Sequence, residues 1–182
     1  MTIINPSNIK RVVFKEILEG DLRKFRAESN DAPSGGGARD LRFSPFSQFR
    51  EVFSRMLPIH NGNSYSGTFT WYDSIGMLHT GQGIFMFPTN ARPNEGRISN
   101  VDKYLPMCPY HISQGPIFLI IVQNDNDINY VSFATQSQLE VEWHPVISDF
   151  ILNLYNTKRP NTLAVSGYID FERTVSYGKN RK

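Results

Sequence analysis

Short stretches rich in β-branched and aromatic residues recur along this chain, and each is bounded by Gly, Asn or Pro. Partial alternation of apolar and polar residues over such stretches is typical of strands. Turn signals separate them, for example Asn61-Gly62-Asn63 and Gly81-Gln82-Gly83, because these residue types tolerate positive φ or make local side-chain turns. The pattern predicts strands at residues 11–18, 41–43, 65–72, 82–87, 117–123, 129–134 and 164–171.

Two segments show helical spacing instead. In the first, Ser44 is positioned to cap the helix and Pro45 to occupy its first turn, and the chain reaches a stop at Leu57-Pro58. Its apolar stripe consists of Phe46, Phe49, Val52, Phe53 and Met56.

The second predicted helix runs from about residue 145 to 155, with Val146, Phe150, Ile151 and Leu154 on one stripe. Many short strands with two short helices predict a mainly β (α+β) fold that forms a closed or nearly closed mixed barrel. We expect one domain over residues 1–182, with short tails at residues 1–9 and 177–182.

The composition limits the functional classes. The single cysteine, Cys108, excludes an intramolecular disulfide and any multi-cysteine metal site. No run of about 18 apolar residues is present, so no membrane-spanning helix is expected. The four histidines lack short metal spacing, and no nucleotide-binding or hydrolase motif appears. The sequence therefore predicts a soluble cytoplasmic protein without a metal or cofactor.

Positive charge is unevenly distributed, although the net charge is only +2. Residues 1–55 carry ten Lys and Arg against seven acids, and residues 151–182 carry six against two. Residues 107–150 carry five acids and no Lys or Arg. Folding can bring the two basic regions together into one face, or the charges can simply form a mixed solvated surface.

Two arginine-bearing loops lie between predicted strands. The first arm spans residues 30–42 and contains the run SGGGARDLR; the second arm spans residues 89–99 and contains NARPNEGR. Guanidinium and amide groups donate hydrogen bonds in fixed, often bidentate geometry, which suits base edges and phosphates. The arms thus make double-stranded DNA the expected partner.

The order of these segments resembles a known family. The runs VVFKEIL, SGGGARDLRF and SPFSQFREVFSRMLP look like the opening of the amino-terminal effector-binding domain of EcoRII-type restriction endonucleases. The runs GIFMFPTNARPNEGRISNVDKY and GPIFLIIVQNDNDINYVSF are similar to later parts of the same domain. The resemblance covers about residues 11 to 151 and implies the DNA-binding pseudobarrel fold, with seven or so strands, whose two arms grip the major groove.

Carried over to this chain, the resemblance implies DNA contacts by both arms. Arginine can donate two hydrogen bonds to guanine, and asparagine can pair with adenine. Glu95 can accept a hydrogen bond from cytosine or orient a neighbouring arginine. Arg97 has an alternative role in a buried ion pair with Glu95. The expected DNA-binding residues are Ser34, Arg39, Arg42, Asn90, Arg92, Asn94, Glu95 and Arg97.

The family's enzymes join this reader to a separate catalytic domain, for which 182 residues leave no room. Asp127, Glu140 and Glu142 resemble the acids of metal-dependent nucleases only faintly, because the expected lysine is absent. We therefore expect a non-catalytic DNA reader in a restriction or phage-defence system, working with a separate nuclease or effector protein. The alternatives are a compact nuclease or endonuclease fragment, and a protein-interaction adaptor that uses the acidic segment.

Overall fold

The computed structural model describes residues 6–25, 39–157 and 164–179. It is mainly β, as predicted, and its ten strands belong to one mixed sheet. The strands are β1 Ile9–Ile17, β2 Leu41–Phe43, β3 Ile59–His60, β4 Ser64–Tyr72, β5 Leu78–Met86, β6 Gly96–Ile98, β7 Ile117–Asn124, β8 Asn129–Thr135, β9 Ser166–Asp170 and β10 Val175–Lys179. The helices are α1 Glu19–Leu22, α2 Phe46–Met56, α3 Val101–Tyr104, α4 Gln136–Glu142 and α5 Pro145–Asn156.

The strand order across the sheet is β10-β9-β1-β7-β8-β4-β5-β6-β2, and β3 pairs with β4. All pairings are antiparallel except that of β4 with β8. The sheet curls into an open half-barrel around α2, which contacts β1, β4, β6 and β9. Two lysines connect the β10-β9-β1 side of the sheet to the segment at and after β2, at the other end. Lys15 of β1 donates to the Arg42 carbonyl, and Lys179 of β10 donates to the carbonyl and hydroxyl oxygens of Ser44 at 2.9 Å each.

The central strands are buried on both faces. On β1, Val13 and Ile17 face the inner core around α2, whereas Val12 and Phe14 face an outer core beneath α5. The whole of β7 except its last residue is buried. Continuous apolar runs are expected where both faces of a strand are covered, and they explain why these two strands were predictable from the sequence.

Helix α2 fills the half-barrel with its predicted stripe. Phe49, Val52, Phe53 and Met56 are fully buried, and the Phe53 ring stacks on Phe85 with 4.1 Å between centroids. Burial of aromatic side chains at this spacing favours the helix more than any terminal cap does.

The predicted start of α2 is wrong. The helix begins at Phe46, and Pro45, in the N-cap position, is extended (φ −75°, ψ 142°) and supplies no side-chain cap. The Phe46 N–H instead donates to the Asn94 carbonyl of the second arm at 2.9 Å. The Ser44 hydroxyl accepts from Lys179. A tertiary contact thus replaces the local cap.

Helix α5 is confirmed at residues 145–156, one residue longer than predicted. Its buried face differs from the predicted stripe, because Val146 is 48% exposed while Ile147, Ile151 and Leu152 are buried. The His144 ring accepts from the Val146 N–H at 3.2 Å and caps the helix.

Several elements lie outside the predicted set. They include β3, β10 and the short helices α1, α3 and α4. Residues 177–179, predicted to belong to a tail, are part of β10 and pair with β9. Residues 6–8 form a single 3-10 turn before β1. In the three described ranges, no helix has the length and apolar character needed to cross a bilayer.

Candidate nucleic-acid interface

The C-terminal parts of the two arms form strands β2 and β6, which pair with each other. Strands β2 and β6 are antiparallel, with Arg42 directly opposite Arg97. Leu41, Phe43 and Ile98 are buried, so the alternation of a strand turns both arginines to the outer face. Because the pair is antiparallel, the first arm enters β2 at one end and the second arm enters β6 at the other. Asp40 and Glu95, the residues just before the two strands, therefore lie on either side of the outward-facing pair of arginines.

Glu95 is shared between two arginines. Its Oε2 atom lies 3.3 Å from Arg92 Nη1 and 3.7 Å from Arg42 Nε. This carboxylate links the second arm to the strand of the first arm. Glu95 therefore lies where it can orient both arginines, which is one of the two roles considered for it.

Arg97 is paired with Asp40, and the predicted pairing with Glu95 is wrong. Arg97 Nη1 lies 3.3 Å from Asp40 Oδ2, and Asp40 Oδ1 accepts from the Asn100 N–H at 3.3 Å. The two side chains are 20% and 10% exposed, which makes this the least exposed of the ion pairs near the arms. Because Arg97 lies opposite Arg42 in the β2–β6 pair, it is next to the C-terminal end of the first arm. Glu95 is turned toward Arg42 and Arg92.

Arg39 stands at the foot of the first arm. Its Nε lies 3.4 Å from Asp102 Oδ2 on α3, and its side chain is 50% exposed. The other carboxylate oxygen of Asp102 is buried and has no hydrogen-bond partner among the described residues. Ser34 and the three glycines of this arm lie outside the described residues.

The second arm is held by a turn within itself and by one backbone hydrogen bond from α2. The Arg92 N–H donates to the Thr89 carbonyl at 2.9 Å, and the Asn94 carbonyl accepts from α2. Asn90 and Asn94 are exposed. Their side chains make no hydrogen bond to another described residue, so both amides are available to an external partner.

Four guanidinium groups and three carboxylates make up this surface, which gives a net charge of +1. The N–O distances of 3.3–3.7 Å are longer than the roughly 2.7–2.9 Å of a strong charge-assisted hydrogen bond. Exposed ion pairs of this kind contribute at most about 1 kcal/mol. A phosphate or a guanine edge can therefore replace the carboxylates of the exposed arginines at small cost.

Lys15 lies beneath this surface, and no sequence pattern associates it with the arms. Its ammonium group contacts the Arg42 carbonyl and lies 5.5 Å from the centroid of the Phe43 ring. Burial lowers the pKa of Lys15 from its ordinary value of 10.5 to about 8. A neutral amine still donates a hydrogen bond, so the contact with Arg42 does not depend on the charge.

The lowered pKa predicts that stability depends on pH through Lys15. Between about pH 8 and 10.5 the unfolded chain holds this proton and the folded chain has lost it, so the contribution of Lys15 to the free energy of unfolding rises with pH. We expect the urea midpoint of the wild-type protein to rise relative to that of Lys15→Met when the pH is raised from about 7.5 to 9.5. The same pH dependence in both proteins would contradict the assignment.

The acids that faintly resembled a nuclease pattern lie elsewhere. Asp127 is in the turn between β7 and β8 and pairs with Lys10 at 2.8 Å. Glu140 and Glu142 are on α4, where Glu140 accepts from Gln136 at 3.0 Å. Within residues 6–25, 39–157 and 164–179, no group of three or more His, Cys, Asp or Glu side chains is arranged to hold a metal ion.

Two carboxylates of the interface, Asp40 and Asp102, were not predicted to belong to it. Asp40 lies between Arg39 and Arg42 in the sequence, so of the two it was the easier to identify from the sequence. Asp102 is close to Arg39 only in the folded chain.

The chain matches no model of a known protein family, and no curated protein matches its sequence.

Proposed function

We propose that this chain is a non-catalytic reader of double-stranded DNA that recognises a short sequence or a modified base through its two arms. The observation that carries the proposal is the pairing of β2 with β6, which sets Arg42 opposite Arg97 between Arg39 on one arm and Arg92 on the other. The arginines are the base-reading and phosphate-binding groups, and Asn90 and Asn94 are the amide donors and acceptors.

The architecture is compatible with the resemblance to the effector-binding domains of EcoRII-type endonucleases. The half-barrel around α2, with an arm at each end of one strand pair, supports a DNA-binding pseudobarrel. In this proposal the protein acts in the cytoplasm, in a restriction or phage-defence system, and passes recognition to a separate nuclease or effector protein.

Salt dependence is the first test of the proposal. If each of the four arginines neutralises one phosphate, affinity for duplex DNA falls about 100-fold between about 50 and 200 mM salt, because each contact releases condensed counterions. Fluorescence anisotropy with a labelled duplex measures this slope. Affinity that stays constant over this range would contradict the proposal.

A binding selection identifies what the arms read. Random duplexes are selected in two pools, one unmodified and one methylated, and the enriched sequences are compared. We expect a short enriched motif in one pool. Cleavage of duplexes by the pure protein with Mg²⁺, or salt-insensitive binding to a protein in the absence of any DNA affinity, would instead support the nuclease or the adaptor.

A further inference from the structure

Arg50 lies outside both arms but beside the root of the second one. It is exposed on α2, where its Nε donates to the Tyr65 hydroxyl at 3.3 Å. Its guanidinium carbon is 5.9 Å from the centroid of the Phe87 ring. Phe87 comes two residues before Thr89, where the second arm begins. A hydroxyl and an aromatic ring thus hold this guanidinium at the base of the arm.

The first turn of α2 also contacts the second arm and Phe87. Phe46, four residues before Arg50, lies on the same face of the helix and donates its N–H to the Asn94 carbonyl of the arm. The Phe46 ring is also 5.3 Å from Phe87. Arg50 therefore stands one helical turn, about 5.4 Å along the axis, from a direct contact with the second arm.

The charge of Arg50 is met only by a coulombic interaction with its neighbour Glu51 and not by an ion pair. Each of the four arginines of the arms has a carboxylate within 3.7 Å, whereas no carboxylate of the described residues forms an ion pair with Arg50. Its neighbour Glu51 is engaged by Arg173 at 3.0 Å and by Arg55 at 3.8 Å. Arg50 is consequently a cation next to the arm that needs no carboxylate displaced before it binds an anion.

We propose that Arg50 binds a phosphate of the DNA strand that lies against the second arm. This inference rests on the proposed function and extends the interface from the arms to α2. With Nε engaged by Tyr65, the two terminal nitrogens retain their donors for phosphate oxygens. Contact with the Phe87 ring reduces the orientations open to the side chain. Because Arg50 is on a helix beside the arm, it fixes the register of the DNA and does not read a base.

The test compares Arg50→Ala and Arg50→Lys with the wild-type protein on a preferred and an unrelated duplex. For Arg50→Ala we expect affinity to fall by a similar factor, about 3- to 10-fold, on both duplexes, and the slope of log K against log salt to become shallower by about 0.9. Arg50→Lys should restore most of the slope and affinity, because a phosphate accepts a point charge whereas a base edge requires the planar fork.

Arg55→Ala is the matched control. Arg55 is on the same helix, farther from the second arm, and its charge is already paired with Glu51, so its removal should leave the slope unchanged. An Arg50→Ala protein that keeps the wild-type slope and melting temperature overturns this inference alone. Loss of binding only on the preferred duplex also overturns it, since that result identifies a base contact. A wild-type protein without DNA affinity overturns the proposed function as well.

Discussion

Arg92→Ala is expected to weaken binding to the preferred duplex by about 10- to 100-fold and to weaken binding to unrelated DNA much less. Arg92 is on the second arm, is 42% exposed, and is held only by a 3.3 Å contact with Glu95, so its planar fork is free to pair with guanine. Arg92→Lys should not restore specificity, because an ammonium group replaces the charge but not the bidentate geometry. Competition binding with both duplexes measures the two affinities.

Arg173→Ala is the control for this experiment. Arg173 has the same exposed fraction, 42%, and a comparable ion pair with Glu51, but it is in the turn between β9 and β10, at the other end of β10 from Lys179. We expect no change in the ratio of specific to nonspecific affinity. If Arg92→Ala and Arg39→Ala both bind like the wild type, the assignment of the two arms is wrong.

Gly96→Ala is expected to destabilise the fold by about 3 kcal/mol, near the upper end of overpacking costs. A Cβ atom at Gly96 would lie 2.1 Å from Cζ of Phe85. Phe85 has no room to move, because its ring is fully buried and stacks on Phe53. For a chain of this length we expect a melting temperature lower by about 10 °C. Since Gly96 is where the second arm joins β6, specific DNA affinity should fall even at temperatures where the variant is folded.

Gly20→Ala separates crowding from the general effect of replacing a glycine. A Cβ atom at Gly20 meets nothing within 4 Å, and the residue is in α1, where alanine is preferred by about 0.5–1 kcal/mol. This variant should melt at or slightly above the wild-type temperature. If Gly96→Ala has the same stability as Gly20→Ala, the Phe85 ring can move to make room for the added Cβ atom, and the prediction is wrong.

Core-facing patterns were the predictable part of the fold. The spacing of Phe49, Phe53 and Met56 identified α2, and the apolar run of β7 identified a central strand, because burial of these side chains contributes most of the local stability. The helix start was not predictable, since the Phe46 N–H is satisfied by Asn94, 48 residues away in sequence. Sequence patterns indicate local helix caps but not hydrogen bonds between residues so far apart in the chain.

Helix α4 could have been found. Thr135 and Gln138 form a capping box, with the Thr135 N–H donating to the Gln138 side chain at 2.9 Å, and this pattern is visible in the sequence. The short helix buries only Leu139, so its periodic signal is weak. Residues 177–179 of β10 were predicted to belong to a tail, because β10 contains no fully buried residue and so shows no apolar pattern.

In the candidate interface, the sequence located the arginines but not their partners. Pairing of Arg97 with Asp40 and of Arg42 with Glu95 follows from the register of β2 and β6, which no local pattern encodes. The same register explains why Arg42 and Arg97, 55 residues apart in sequence, share one face. Arg50 and Lys15 were not predicted for a related reason: they lie on α2 and β1, regular elements that carry no loop motif.

The contacts of Lys15 and Lys179 with residues 42 and 44 also bear on how the molecule avoids assembling through its strands. An open strand edge is a template on which another chain can add a strand, and proteins often protect it with lysines or by keeping the edge strand short. Here β2 has three residues, and Lys15 and Lys179 occupy the Arg42 and Ser44 carbonyls. A strand from a second molecule that approached these carbonyls would first have to displace two ammonium groups, both partly buried. The same contacts that hold the first arm's strand in place thereby oppose edge-to-edge aggregation.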